Sequence, residues 1–191
     1  MAVVQKLATT VTDYMVISEE GGKKQMKKAN TISWVVRNDT DSNTVELERH
    51  YQAFMSNNKP LRAEDTDMDI FSFETATHLS KFFENRGMKI TVRITEQVLS
   101  MRWCSKDGIL QVLSAMAYTC LGYADKTKEI HFEVERNADR LSFSITYVAG
   151  ILCLADSEQE VLDMLRNRIE QKGYEFRFVF ENGLHTISLL I

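Results

Sequence analysis

The stretch from Asp107 to Gly150 constrains the fold of this 191-residue chain more than any other. Its first half has apolar residues at helical spacing and predicts a helix that opens at Lys106-Asp107-Gly108. Two runs of strict alternation follow and predict two strands, joined by a turn over 137–140. The apolar positions of the helix are Ile109, Val112, Leu113, Met116, Cys120 and Leu121, and those of the strands are Ile130, Phe132 and Val134, then Leu141, Phe143, Ile145 and Tyr147. This order predicts a helix packed on a sheet.

The flanking segments extend the same α/β pattern. Gly87 and Gly173 are placed to end helices, Glu160 stands three residues after Ser157 in a capping-box pattern, and Asn182-Gly183 predicts a tight hairpin turn. The predicted helices cover 71–85 and 157–172, and the predicted strands cover 88–94, 98–103, 174–180 and 184–191. Strands with helices on one face predict an α+β fold whose main part, over 61–191, is a two-layer α/β sandwich.

The first 60 residues predict a helical unit that ends at the break Ser56–Pro60. The predicted helices cover 4–18, 23–37 and 44–55, with a turn signal at Glu19-Glu20-Gly21-Gly22. The branched run Thr9–Thr12 disfavours the first helix, and whether the unit has two helices or three stays open. The sequence therefore predicts two domains, 1–60 and 61–191.

Composition excludes several classes of protein. Hydrophobic residues make up 44% of the chain and charged residues 26%, which is typical of a globular protein. The net charge of −4 gives no support to a nucleic-acid partner. Cys104, Cys120 and Cys153 form no Cys-x-x-Cys pair and predict reduced thiols. Neither a secretory leader nor a run of 18 apolar residues is present, so we expect a cytoplasmic protein without a membrane span.

The order and spacing of elements from Ile70 to Ile191 resemble the ATP-binding domain of sensor histidine kinases, which belongs to the gyrase, chaperone and mismatch-repair ATPase superfamily. The likeness covers about two-thirds of the chain and lies in layout and hydrophobic pattern. A short helical unit ahead of such a domain is similar to the layout of histidine phosphotransferases that keep an inactive ATPase-like domain. The resemblance implies a homodimer whose partner is a response regulator or a kinase.

The same resemblance assigns positions to the nucleotide chemistry. Ala115 and Thr119 stand where the family has asparagines that help to hold magnesium, and Tyr147 stands where an aspartate binds adenine. Ala149 replaces a glycine, and Gly150 alone matches. These five residues therefore predict a degenerate pocket that holds no cofactor.

The lid of that pocket is also missing from the sequence. The segment 151–156 has no glycine with which to wrap phosphates and leads almost directly into the last helix. We expect Tyr147 and Leu152 to fill the space instead.

His50 is the candidate phosphoacceptor because it is the only histidine of the first 60 residues. In the family an acidic residue follows the phosphorylated histidine, whereas Tyr51 follows here, late in the unit. The alternative interpretation is a solvated helix residue. If phosphate is transferred, the imidazole of His50 is the nucleophile.

Other site patterns are absent or weak. No Gly-x-Ser-x-Gly, Walker or His-Glu-x-x-His motif occurs. The acidic run Glu64–Asp69 lacks the glycine and glutamate of a calcium loop and predicts a linker or a helix N-terminus. His78, His131 and His185 lie on separate elements, so we expect surface histidines and no metal site. Trp34 and Trp103 are predicted to be core or interface residues.

Three functions stay open at this stage. The first is a catalytically inactive histidine-kinase-like signalling protein, acting as a dimeric adaptor or histidine phosphotransferase. Its dimer would bury Val4, Leu7, Val11 and Trp34 between subunits in a four-helix core. The second is a regulatory protein-binding module without phosphotransfer, and the third is an active ATP-binding kinase with an unusual pocket.

Overall fold

A computed structural model describes residues 10–20, 23–33, 42–57, 59, 62–95, 101–137, 140–150 and 155–191. It has four helices and mixed sheets among these residues, which confirms the predicted α+β class. The helices are α1 Ser42–Met55, α2 Met68–Glu84, α3 Lys106–Tyr123 and α4 Ala155–Gln171. The strands are β1 Thr10–Glu20, β2 Lys23–Ser33, β3 Glu64–Asp67, β4 Ile90–Ile94, β5 Met101–Cys104, β6 Ile130–Asn137, β7 Arg140–Val148, β8 Glu175–Glu181 and β9 Leu184–Leu190.

The main sheet has five strands in the order β4-β6-β7-β9-β8. Only β4 and β6 are parallel, and the other neighbours pair antiparallel. Alternation along β7 buries Leu141, Phe143, Ile145 and Tyr147, as predicted. At the β8–β9 turn Asn182 and Gly183 have φ of 53° and 80°, which is the left-handed pair of a two-residue hairpin. The sandwich predicted from the alternating runs is confirmed.

Helix α3 is the centre of the core, because its residues are buried on nearly every side. It begins at Ser105, whose hydroxyl accepts the N–H of Gly108 at 3.1 Å. Helix α2 begins at Asp67, whose carboxylate accepts the N–H groups of Asp69 and Ile70. The acidic run is therefore a helix N-terminus, as predicted, although its first residues form the short strand β3, paired with β5.

The predicted helices at 4–18 and 23–37 are wrong where the structure describes those residues. Thr10–Glu20 and Lys23–Ser33 form an antiparallel hairpin in which Glu20 pairs with Lys23. Two physical signals explain this difference. The branched residues Thr10, Val11 and Thr12 favour strands, and two glycines between two eleven-residue segments match a two-residue hairpin loop.

The predicted helix at 44–55 is confirmed as α1, and it belongs to the main core. Leu47 and Phe54 are buried in the same apolar cluster as α3 and the sheet. The Tyr51 ring stacks on Tyr118 of α3 with centroids 4.2 Å apart. Helix α1 therefore packs directly on the sandwich. The domain boundary at residue 60 stays a prediction.

Two further predictions concern surface and membrane. Trp103 is 72% exposed and so is not a core residue, while its role at an interface stays a prediction. Trp34 lies outside the described residues, as do Val4 and Leu7. Among the described helices, none has the length and apolarity that crossing a membrane requires.

Candidate functional site

Three of the five predicted nucleotide residues, Tyr147, Ala149 and Gly150, lie at the end of β7, and the last two contact the end of α3. Ala149 forms a bridge with Ala124 just after α3, and the N–H of Gly150 donates to the Tyr123 carbonyl at 2.8 Å. A side chain at Gly150 would lie 3.5 Å from that carbonyl oxygen, in ordinary contact. The end of β7 is therefore tied to the end of α3.

Both of the predicted α3 positions are buried, and only Thr119 has a side-chain oxygen. Ala115 is fully buried and has no polar side-chain atom. Thr119 is 7% exposed, and its hydroxyl donates to the Ala115 carbonyl at 3.0 Å, one turn back along the helix. Magnesium is held by oxygen ligands, and the hydroxyl of Thr119 is the only side-chain oxygen that these two positions supply.

Tyr147, which the resemblance predicts to replace an adenine-binding aspartate, is 1% exposed. Its hydroxyl donates to Oε1 of Glu158 in the first turns of α4, at 2.7 Å. Nδ1 of His185 on β9 lies 2.8 Å from the same oxygen. The rings of Tyr147 and His185 pack with centroids 5.5 Å apart. These three side chains, hereafter the Tyr147 trio, link β7, α4 and β9.

Burial makes the Tyr147 trio a linked unit. Glu158 is 4% exposed, and a buried carboxyl is costly unless hydrogen bonds replace its water. Phe178 and Phe180 also contact the His185 ring edge to face. The prediction of a surface histidine at 185 is therefore wrong, because His185 turns toward Glu158 from the end of a strand.

Sequence analysis found Tyr147 and missed its two partners. It took Glu160, an exposed residue, as the capping residue of the last helix and passed over Glu158. The usable signal was a buried tyrosine, whose hydroxyl needs a partner in the core. No sequence pattern predicted that this hydrogen-bond partner would come from α4, or that β9 would contribute a third side chain.

Little chain is available for a lid over this end of the molecule. Gly150 and the first residue of α4, Ala155, are separated by four residues. Leu152, predicted to help fill the pocket, is one of those four and lies outside the described residues.

His50 lies apart from the Tyr147 trio, and its polar contacts are within α1. It is 3% exposed, with Nε2 at 3.2 Å from Nη2 of Arg49 and 3.9 Å from Oε1 of Glu46. Burial, reinforced by the Arg49 charge, lowers the pKa of His50 below its usual 6.5. A neutral imidazole is the nucleophilic form, but this one is enclosed. The interpretation of His50 as a solvated residue is wrong, and its role as a phosphoacceptor stays a prediction.

The remaining histidines form no metal centre among the described residues, where no group of three or more His, Cys, Asp or Glu side chains is arranged to hold an ion. His131 is exposed, as predicted. His78 is half-buried and faces Glu46, with Nε2 at 3.8 Å from Oε2.

Comparison with known proteins identifies the fold. No family model and no curated protein matches the sequence. Solved structures do match. Histidine kinase AdeS of Acinetobacter baumannii superposes with a TM-score of 0.54 at 13% identity, covering 77% of this chain and 75% of the kinase. The catalytic domain of histidine kinase ThkA gives 0.55 at 10% identity, covering 69% of this chain and 97% of that domain.

The cytoplasmic segment of histidine kinase QseC gives 0.51 at 9% identity, covering 81% of this chain and 97% of the segment. Identities this low carry information about fold alone. The chain therefore has a histidine-kinase-like ATPase fold, as the layout of its elements predicted.

Proposed function

We propose that this chain is a catalytically inactive histidine-kinase-like signalling protein. In this proposal it acts as a dimeric adaptor or histidine phosphotransferase whose partner is a response regulator or a kinase of a two-component system. The observation that carries the proposal is the Tyr147 trio, which fills the nucleotide end of a kinase-type fold. The thiols of Cys104 and Cys120 are free, which suits a cytoplasmic setting.

The inactivity that we propose is supported on energetic as well as steric grounds. Admitting a nucleotide would require the Tyr147 side chain to leave the core and break its bond to Glu158. That would leave a buried carboxyl with one partner fewer, at a cost of about 1–3 kcal/mol, in addition to the exposure of an aromatic ring. The closed site therefore supports a scaffold role for the fold.

Phosphotransfer through His50 is tested with autophosphorylated, isotope-labelled histidine kinases from the same organism. We expect label to pass to the wild-type chain, to be lost in His50→Ala and to be kept in His131→Ala. His131 is a matched control because it is an exposed histidine on β6. Label kept in His50→Ala would contradict the assignment of His50.

The burial of His50 favours a second candidate, a regulatory protein-binding module without phosphotransfer. An imidazole that is 3% exposed needs α1 to move before it meets a phosphoryl donor. The second candidate predicts no label on the wild-type chain with any kinase tried. Light scattering adds an independent criterion, because the adaptor predicts a dimer and a monomer favours the plain module.

A further inference from the structure

Strand β8 has an open outer edge. It is the last strand of the five-stranded sheet, so one side pairs with β9, and no described strand pairs with the other. Val179 and Phe180 on this strand are 44% and 61% exposed. Proteins usually protect such an edge with lysine, proline or a bulge. β8 has no lysine or proline, and its pairing with β9 runs without a bulge, so its edge is suited to receive another strand.

Alternation divides the side chains of β8 between the two faces of the sheet. Phe178 packs against the core, so Phe178 and Phe180 belong to the face that the helices cover. Arg177, Val179 and Glu181 belong to the opposite face, and all three are exposed. The open edge therefore carries aromatic residues on one face and a charged, apolar, charged series on the other.

A two-fold contact between two copies of β8 places one residue opposite its own copy and pairs its neighbours symmetrically. Within Glu175–Glu181, only Arg177, Phe178 and Val179 can be central and leave at least two residues of the strand on each side. A centre at Arg177 opposes two guanidinium groups, and a centre at Phe178 opposes Glu175 to the partner's Glu181. A centre at Val179 instead places Arg177 opposite the partner's Glu181, twice. Of the three registers, only the last pairs opposite charges.

Both charged residues can make this pair. Glu181 is exposed and forms no ion pair among the described residues. Arg177 donates from Nε to Oε1 of Glu175 at 2.8 Å, in a contact about half exposed on both sides. Glu175 also accepts a hydrogen bond from Arg140 through its other oxygen. Glu175 therefore keeps a partner when Arg177 turns toward the partner's Glu181.

We propose that the β8 strands of two copies of this chain pair antiparallel about Val179 and join two five-stranded sheets into one of ten strands. Two ion pairs of Arg177 with the partner's Glu181 lie on one face, and two contacts of Phe178 with the partner's Phe180 lie on the other. The two-fold axis is perpendicular to the sheet, so the helices of both copies cover the same face. The surface goes beyond the proposed function, which places its dimer contact in the first 60 residues.

Sedimentation velocity of the full chain over a range of concentrations tests the contact, and a concentration-dependent dimer is expected. Val179→Lys brings two like charges together at the axis, and it should weaken the dimer about tenfold or more. Thr91→Lys is the matched control, because Thr91 is exposed on β4, the opposite edge strand, in the same cross-strand row as Val179. It should leave the dimer unchanged.

A charge swap tests the register. Arg177→Glu and Glu181→Arg each oppose like charges twice in the dimer, so each should weaken it about tenfold. The double variant Arg177→Glu/Glu181→Arg restores opposite charges in both pairs, and its dimer should return to within about threefold of the wild type. Damage to the fold of the single chain would not be repaired in this way.

The proposal is overturned if the wild type stays monomeric up to about 1 mM, if Val179→Lys dimerises as the wild type does, or if the double variant shows no restoration. A dimer that persists in Val179→Lys would remove the β8 contact and leave the dimeric adaptor standing. Label transfer to His50 is measured separately, so a failure of phosphotransfer is not mistaken for a failure of this contact.

Discussion

The phenol of Tyr147 shows how one residue can change what a fold offers. At the end of β7, where the resemblance predicts that a tyrosine replaces a short acidic side chain, this chain has an aromatic ring that is buried and hydrogen-bonded. The hydroxyl of the ring donates to Glu158 at the same time. Tyr147 is therefore held in place by packing and by hydrogen bonding together.

Replacing Tyr147 by Phe isolates the hydrogen bond from the packing. The ring stays, while Oε1 of Glu158 loses the tyrosine hydroxyl and keeps its contact with His185. We expect the free energy of unfolding to fall by about 1–3 kcal/mol, measured by denaturant titration. Tyr51→Phe is the control, because that half-buried ring stacks on Tyr118, and a change below about 0.5 kcal/mol is expected. Equal losses in the two variants would mean that the Glu158 bond is not special.

His50 predicts a pH dependence whose sign follows from its lowered pKa. In the unfolded chain His50 binds a proton with its ordinary pKa of 6.5, whereas in the folded chain its pKa is lower. As the pH falls, the unfolded state therefore binds more protons than the folded state. Stability is therefore lost on going from about pH 7.5 to about pH 5.5. His50→Gln should lose less stability over that interval, as followed by thermal unfolding. An identical pH profile in wild type and variant would show that His50 is not responsible.

Among the elements, α1 is held to α4 by a side chain that closes its C-terminal end. Nη1 of Arg168 donates to the carbonyl groups of Phe54 and Met55 at 3.0 and 2.5 Å. The last carbonyls of a helix lack partners within it, and a cation there also complements the helix dipole. This contact joins residues 114 positions apart in the sequence and holds α4 against α1.

The variant Arg168→Met keeps most of the apolar stem of that side chain and removes its donors. We expect a loss of about 1–3 kcal/mol in unfolding free energy, since a charged donor to two carbonyls is lost. Arg166→Met is the control, because Arg166 pairs with Asp163, one turn earlier in α4, and both side chains are about half exposed. Hydrogen exchange should localise the effect, with faster exchange of the amides of α1 in Arg168→Met alone. Unchanged exchange there would remove the role assigned to Arg168.

Elements whose apolar residues repeat regularly were predictable from sequence. Contacts that depend on how distant elements pack together were not. The apolar residues of α3 recur at helical spacing and those of β7 alternate, so the type of each element followed directly from sequence. The burial of α3 on nearly every side did not follow, because small and polar residues such as Ser114 and Ala115 are buried as well. The hairpin of β1 and β2 was missed because scattered apolar residues at three-four spacing outweighed branched residues and paired glycines. Glu158 and His185 were missed because their meeting depends on how α4 packs over β9, which no local pattern encodes.

At the scale of the whole molecule, the core runs from the sheet through α3 to α1, and Tyr147 is part of it. Oγ1 of Thr75 and Nδ1 of His78 are buried without a hydrogen-bond partner among the described residues, and both residues line a cleft beside the first turn of α3. The two ends of α3 therefore differ, because the hydrogen bonds of the Tyr147 trio lie near one end and two unpartnered buried atoms lie near the other.

The closed nucleotide end is the central claim, and thermal unfolding of the full chain with and without millimolar ATP and magnesium tests it most directly. A ligand that binds only the folded state adds RT ln(1 + [L]/Kd), about 2.7 kcal/mol at a hundredfold excess over Kd. We predict the same unfolding temperature with and without nucleotide. An upward shift that requires magnesium would contradict the account, because it would mean that Thr119 and the Tyr147 trio admit ATP.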